Sequence, residues 1–188
     1  KEASEFYVSL FDNSNLTNVS TISDTPSGDV DIVTFQISGR SFMAISAGPM
    51  FKFNQSISMF AYCGSEKRID FLFEKLSEKG EVLMPLGKYD WSSKYAWVKD
   101  KYGLSWQLDI DDINSSQKVV PALLFVNERF SRIKEAENFY NSIFHDSKII
   151  MEVPYDKSAN QPEDALLFAQ FSLSGNIFNA MSSYIHHD

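Results

Sequence analysis

The feature that most constrains this chain is that part of it is written twice. Residues 1–16 read KEASEFYVSLFDNSNL, and residues 134–149 read KEAENFYNSIFHDSKI. A second pair follows in the same order, FQISGRSFMAIS over 35–46 and FSLSGNIFNAMS over 171–182. Phe35/Phe171, Gly39/Gly175, Phe42/Phe178 and Ala44/Ala180 coincide. Two matched blocks at a similar offset mark an internal repeat, so the fold must be built from a unit that recurs.

Each copy has the same local plan. Ala3, Phe6, Tyr7, Leu10 and Phe11 fall at i, i+3, i+4, i+7 and i+8, the spacing of one helix face, which predicts a helix over 1–11. Ala136, Phe139, Tyr140, Ile143 and Phe144 repeat it. Strands follow. Residues 31–38 are rich in β-branched and aromatic types, Ser38-Gly39-Arg40 supplies a turn, and 41–46 is a second strand. Gly39 suits the positive φ of a tight hairpin. The plan is helix, strand, strand, strand.

A related module lies between the copies. It reads as a strand over 57–62, a helix over 66–79 stopped by Gly80, a strand over 81–86, and a hairpin of strands 95–99 and 104–110. Ile69, Leu72, Phe73 and Leu76 form the helix's apolar face. The third module opens with a strand over 119–126 and ends near Ser183. By analogy the first module is expected to have an opening strand too, and the third a partner module. The division expected is one unit over 1–112 and the first half of a second over 113–188. The second unit's bare edge and apolar face call for further chain or a partner chain, a homodimer being the simplest case.

Composition narrows the function classes. The formal net charge of −8 argues against nucleic-acid and anionic-membrane partners, which call for basic patches. No apolar run is long enough to span a bilayer. Cys63 is the single cysteine, which suits a reducing cytoplasm, and its place in an apolar run reads as a buried, inert thiol.

Paired βαβββ modules resemble the vicinal oxygen chelate fold of glyoxalase I, bleomycin-resistance proteins and extradiol dioxygenases. The phrases ASEFYVSLF (3–11), FMAISAGPMFKF (42–53), LSEKGEVLMPL (76–86) and WVKDKYGLSWQ (97–107) are similar to the PhnB-like, or 3-demethylubiquinone-9 3-methyltransferase-like, branch. The resemblance implies an α+β fold in which paired modules curve a sheet around a cleft, with helices on the convex side. The helices over 1–11 and 66–79 are then expected on the convex face of strands related by a pseudo-twofold.

The resemblance also implies a divalent metal held by about four His, Glu or Gln ligands, the last within a pattern like Asp-Pro-x-Gly-x-x-x-Glu. Here that stretch is Asp100-Lys101-Tyr102-Gly103-Leu104-Ser105-Trp106-Gln107, so Gln107, a weak neutral ligand, stands at the Glu position. Ile57 and Ser58 stand where a His is expected, and Ala44, Ile45 and Ser46 where a Glu is expected. No metal and no cofactor are therefore expected. The methyltransferase label implies S-adenosylmethionine, but the Gly residues read as hairpin turns and helix stops rather than a Gly-rich strand-to-helix turn.

The histidines, His145, His186 and His187, lie outside the first unit, which removes the commonest general base from it. His145 reads as a solvated loop residue and His186-His187-Asp188 as a turn before a further strand. Asp90, Asp100 and Asp109 remain as carboxylates, Asp100 opening a turn and Asp109-Asp111-Asp112 a solvated link.

Alternation along the last hairpin places Trp106 and Leu108, with Ala96 and Val98, toward the helix, and Trp97, Ser105, Gln107 and Asp109 toward the cleft. Thr34, Gln36 and Met43 become Gln170, Ser172 and Asn179 in the second copy, which marks a face other than the core. In the linking phrase over 47–54, Phe51 and Phe53 flank Lys52, and this stretch either clamps a ligand or merely packs. Thr34, Gln36, Met43, Lys52, Phe53, Trp97, Ser105 and Gln107 are the candidate lining residues. They suit a small apolar or aromatic molecule. The alternative is a metal-dependent lyase, isomerase or dioxygenase using ligands on segments not seen in this chain.

Overall fold

The computed structural model describes all residues except 47, 49–50, 114, 157–159 and 185–188. It is a mixed α+β structure of three α-helices and eleven strands among the described residues. The chain separates into two compact units, Lys1–Asn54 with Ala61–Val119, and Gln55–Phe60 with Val120–Asp188.

In the first unit, α1 (Glu2–Leu10) is followed by the antiparallel sheet β1 (Asn15–Thr25), β2 (Gly28–Ile37), β3 (Arg40–Ile45), in that order. The Ser38-Gly39 turn between β2 and β3 takes φ of 49° and 77°, the positive-φ pair a two-residue hairpin needs. Gly39 is pinned further by its amide donating to Asn13 O at 2.9 Å, and a Cβ there would sit 3.0 Å from Asn13 Nδ2. Ser174 and Gly175 repeat the turn in the second copy at 47° and 77°. The second half of β2 alternates, with Val33, Phe35 and Ile37 buried, and Tyr7 and Leu10 of α1, which packs on this strand, are buried too.

The same unit holds α2 (Glu66–Ser77) and the antiparallel meander β5 (Glu81–Tyr89), β6 (Ser92–Lys99), β7 (Ser105–Asp109). Ser65 caps α2, its Oγ accepting from Arg68 N at 3.3 Å. Ile69, Leu72 and Leu76 on α2 are fully buried, as are Ala96, Val98, Trp106 and Leu108 on the strands it packs against. The stop of α2 differs from the expected one. The residue in the left-handed region is Lys79, at φ 60°, one position before Gly80. Gly80 is required for another reason, since a Cβ there would lie 2.3 Å from Lys99 O.

In the second unit, β4 (Ile57–Tyr62) contributes residues 57–60 beside β8 (Val119–Phe125), and the order continues β11 (Asn176–Ser182), β10 (Leu166–Leu173), β9 (Lys148–Pro154). β8 and β11 are parallel and the rest of that series antiparallel. α3 (Ile133–Ile143) packs Ile133 against a core of Leu166, Ala169, Phe171, Leu173 and Ala180. The two copies of the repeated helix are not equally covered. Leu10 and Phe11 are 4% and 7% exposed, whereas their counterparts Ile143 and Phe144 are 54% and 45% exposed. In the first unit the cover is Trp106, whose ring stacks on Phe11 at 5.6 Å and meets Tyr7 at 5.4 Å.

Candidate functional site

The β6–β7 hairpin carries the best-formed constellation, and it begins with the turn that joins the strands. Asp100 is buried. Its Oδ1 accepts from Tyr102 N at 2.8 Å and Leu104 N at 3.1 Å, which fixes the turn that Gly103 completes at φ 87°. Its Oδ2 accepts from Tyr7 Oη at 2.8 Å and Trp106 Nε1 at 2.9 Å. One carboxylate thus ties the turn, the core tryptophan and α1 together. Burial and the adjacent Asp100 carboxylate push the Tyr7 phenol above its ordinary range, so it stays a donor.

From that turn the register fixes which side chains share a face. Lys99 pairs with Ser105, Trp97 with Gln107, and Tyr95 with Asp109. Trp97 Nε1 donates to Ser105 Oγ at 2.6 Å, and Tyr95 Oη donates to Gln107 Oε1 at 2.5 Å. Trp97, Ser105, Gln107, Tyr95 and Asp109 are all buried, so this face is an ordered ladder of rings and polar groups. Asp109 continues it. Its Oδ1 accepts from Ser92 Oγ at 3.0 Å and Asp111 N at 2.9 Å. The expectation of a solvated Asp109 is corrected: the residue is 7% exposed, and burial raises its carboxyl above the usual range. Its position one pair along the ladder overrides the polar character of the run that follows it.

At the open end of the ladder stands a ring cluster that sequence reasoning did not select. Tyr89 stacks on Trp91 at 5.1 Å, and both rings meet Tyr95 edge-on, at 5.6 and 5.7 Å. Trp91 is 52% exposed. The signal in the sequence is the aromatic spacing Tyr89, Trp91, Tyr95 around the β5–β6 turn.

The other candidates form separate groups. Thr34 pairs with Met43 and Gln36 with Ser41 on β2–β3, on the face opposite the buried Val33, Phe35 and Ile37. Met43 is largely exposed. Lys52 and Phe53 are exposed and lie outside any helix or strand, and Phe53 comes within 4.0 Å of where a Gly103 Cβ would be. Ala47, Pro49 and Met50 of that linking phrase lie outside the described residues, as do His186, His187 and Asp188. His145 is exposed, and its carbonyl accepts from Ser174 N at 3.1 Å. Burial pushes the Cys63 thiol up to about 12, which removes it as a nucleophile.

The metal set that the resemblance implies does not fit these residues. Gln107 Oε1 is engaged by Tyr95, Ser58 is buried on β4, and Ala44 and Ile45 bring no donor. Among the described residues no three His, Cys, Asp or Glu side chains are grouped to hold an ion. S-adenosylmethionine fits no better. Contrary to the expectation that glycines mark only hairpins and helix stops, Gly64 does occupy the β4–α2 turn, at φ 68°. It is a single glycine rather than a Gly-rich turn, and the Asp112 carboxylate fills the space beside it, 3.5 Å from where a Cβ would stand.

A shallow open depression of about 610 Å³ lies on the linking loop, lined by Asp112, Ile113, Ser115, Ser116 and Lys118, none of them candidate residues. Among the described residues no helix is long and apolar enough to cross a membrane.

No curated protein matches this chain. The chain is similar to the PhnB protein of Bacillus cereus, whose solved structure carries the name 3-demethylubiquinone-9 3-methyltransferase. That likeness has 39% identity and a TM-score of 0.54 over 57% of this chain and 88% of that one. A protein of Pseudomonas aeruginosa aligns at 22% identity and TM-score 0.52 over 59% and 88%. Glyoxalase I of Zea mays aligns with all of this chain and 66% of its own at TM-score 0.62 and 10% identity, which shows a shared glyoxalase-like, vicinal oxygen chelate fold. The model of the 3-demethylubiquinone-9 3-methyltransferase family matches residues 1–109 and again 117–188, nearly the whole sequence. The chain therefore belongs to that PhnB-like family.

Proposed function

We propose that this protein binds a small apolar or aromatic molecule on the β6–β7 face of the first unit, without a catalytic metal. The observation that carries the reading is the pairing of Trp97 with Gln107, each held by its own neighbour, Ser105 and Tyr95. A ring fixed in one orientation supplies contact area at low entropic cost, and an amide orients polar atoms of a guest. Entry is from the exposed end of the same ring series, at Trp91. Methyl transfer, which the family's name carries, finds no fitting cofactor turn in these residues.

The repeat suggests that units divide near residues 112 and 113, and that the open face of α3 is covered in the assembled protein by a second copy or a further module.

A thermal-shift ligand screen, run with and without a chelator, tests the main reading. Hits that persist with the chelator and weaken at least tenfold in Trp97→Ala support it. Binding lost on chelation, or stoichiometric Zn, Fe, Mn or Ni by elemental analysis, overturns it in favour of a metal-dependent enzyme. Hits indifferent to Trp97→Ala mean that the rings only fill the interior.

A further inference from the structure

The geometry points to an organic cation as the ligand class: a protonated or quaternary amine resting on the Trp91 ledge with Asp109 as its counter-charge. The inference rests on the reading of the β6–β7 face as a small-molecule site, and adds the ligand's charge and its anchoring residues.

Three observations converge. First, Tyr89, Trp91 and Tyr95 form one ring cluster, with centroids between 5.1 and 5.7 Å apart, that presents a half-exposed indole to solvent. Indole is the strongest of the aromatic faces for a cation. Second, Asp109 is paired across the strands with Tyr95, so its carboxylate stands beside that cluster. Only one of its oxygens is used. Oδ1 takes both hydrogen bonds, from Ser92 Oγ and Asp111 N, and among the described residues Oδ2 accepts none. A carboxylate 7% exposed, with a preset orientation and a second oxygen that no group of the described residues occupies, is a ready anchor for a positive partner that comes from solvent.

Third, the protein's own cations do not take that place. Lys94, on the same strand, turns to α2, with Nζ 2.6 Å from Asp70 and 3.5 Å from Glu66. Lys118 is engaged by Asp112 at 2.5 Å. Asp111 adds negative charge next to the site, and the net charge of −8 draws cations toward the molecule as a whole. A metal ion is the poorer occupant, because Asp109 offers one oxygen and the neighbours are rings. A diffuse organic cation uses both the rings and the carboxylate.

The test uses the full chain and two isosteric probes, benzyltrimethylammonium and the neutral neopentylbenzene, titrated against the ¹⁵N-labelled protein while the three tryptophan indole signals are followed. The expected result is a saturable shift of the Trp91 indole by the cation, with affinity about tenfold above the neutral probe. Asp109→Asn then lowers the cation's affinity about tenfold and leaves the neutral probe unchanged, while Trp91→Ala abolishes the cation's binding. In wild type, cation affinity rises with pH as Asp109 ionises and neutral affinity stays flat, a readout that needs no variant to fold. Equal affinities for the two probes, or a pH-flat cation curve, overturn the charge assignment and leave the small-molecule reading standing. No response at Trp91 to either probe, with Trp97-dependent hits found elsewhere, overturns the ledge as the site. No Trp97-dependent hit at all overturns the underlying reading as well.

Discussion

Asp100→Ala is the substitution whose effect is best determined by the structure. The carboxylate serves four donors, and two of them, Tyr7 Oη and Trp106 Nε1, belong to buried side chains with no route to water. A buried donor left without an acceptor costs about 1–3 kcal/mol. The two turn amides, from Tyr102 and Leu104, are part-buried and find water more readily, so their loss adds little. The expected loss is about 4 kcal/mol, a large part of a small domain's stability. Tyr7→Phe removes one donor while the carboxylate keeps three, and is expected to cost about 1–2 kcal/mol.

All three tryptophans lie in the first unit, so urea unfolding followed by tryptophan fluorescence reports on that unit directly. The two variants share one bond, so their effects must not add. In the Asp100→Ala background, Tyr7→Phe should cost nothing, or should recover stability by removing the orphaned hydroxyl. A loss below about 1 kcal/mol for Asp100→Ala, or full additivity in the double variant, would refute the account of Asp100 as the tie between α1 and the hairpin.

Three further outcomes are expected. Glu137 on α3 is 1% exposed, neither of its carboxyl oxygens has a hydrogen-bond partner among the described residues, and burial with Glu152 alongside pushes it up to about 7 against an opposing Lys134. A raised carboxyl favours the folded state below its ordinary 4.5 and loses that contribution as pH rises through about 7. Thermal unfolding should therefore show stability falling by about 2–3 kcal/mol across that window, and Glu137→Gln should remove the fall. At the end of α2 the two neighbouring positions should respond oppositely: Lys79→Gly relieves a positive φ and gains about 0.5–1 kcal/mol, while Gly80→Ala drives a methyl against Lys99 O and costs about 1–3 kcal/mol. Chemical denaturation measures both, and equal signs would contradict the assignment. Cys63 should resist alkylation by iodoacetamide at pH 8 in the native state, since burial holds its thiol up near 12.

What was legible in the sequence is what period and repetition encode. The repeat predicted α1 and α3, and the alternation in β6 and β7 separated Ala96, Val98, Trp106 and Leu108 from Trp97, Ser105 and Gln107 as the register does. β4 falls on its predicted residues, because an apolar run bounded by turn residues leaves little choice. β1 had no such mark. Its sequence NLTNVSTISDT is exposed along nearly its whole length, so no burial pattern was impressed on it, and it is a strand because β2 pairs with it. The bounds of α2 show a finer limit. A glycine after a helix reads as its left-handed stop, yet here the lysine takes that conformation and the glycine answers a carbonyl supplied by a strand about twenty residues on.

The site was harder to read, because its chemistry lies in contacts between distant residues. Asp100 was legible as a turn residue from its own neighbourhood. Its second oxygen is claimed by Tyr7, 93 residues away, and no local pattern announces that. Asp109 shows the same limit from the other side. In sequence it heads an acidic run, and such runs are solvated on average. In the fold its strand register carries it one step further along a buried face, next to Tyr95 and under the hydroxyl of Ser92. The residues after it, Asp111 and Asp112, leave the strand and do stay in solvent. A single strand residue therefore separates a solvated charge from a buried one, and the buried one is left with an oxygen that nothing in the described chain answers. That asymmetry, rather than any motif, is what makes Asp109 the residue on which a ligand's charge can be read.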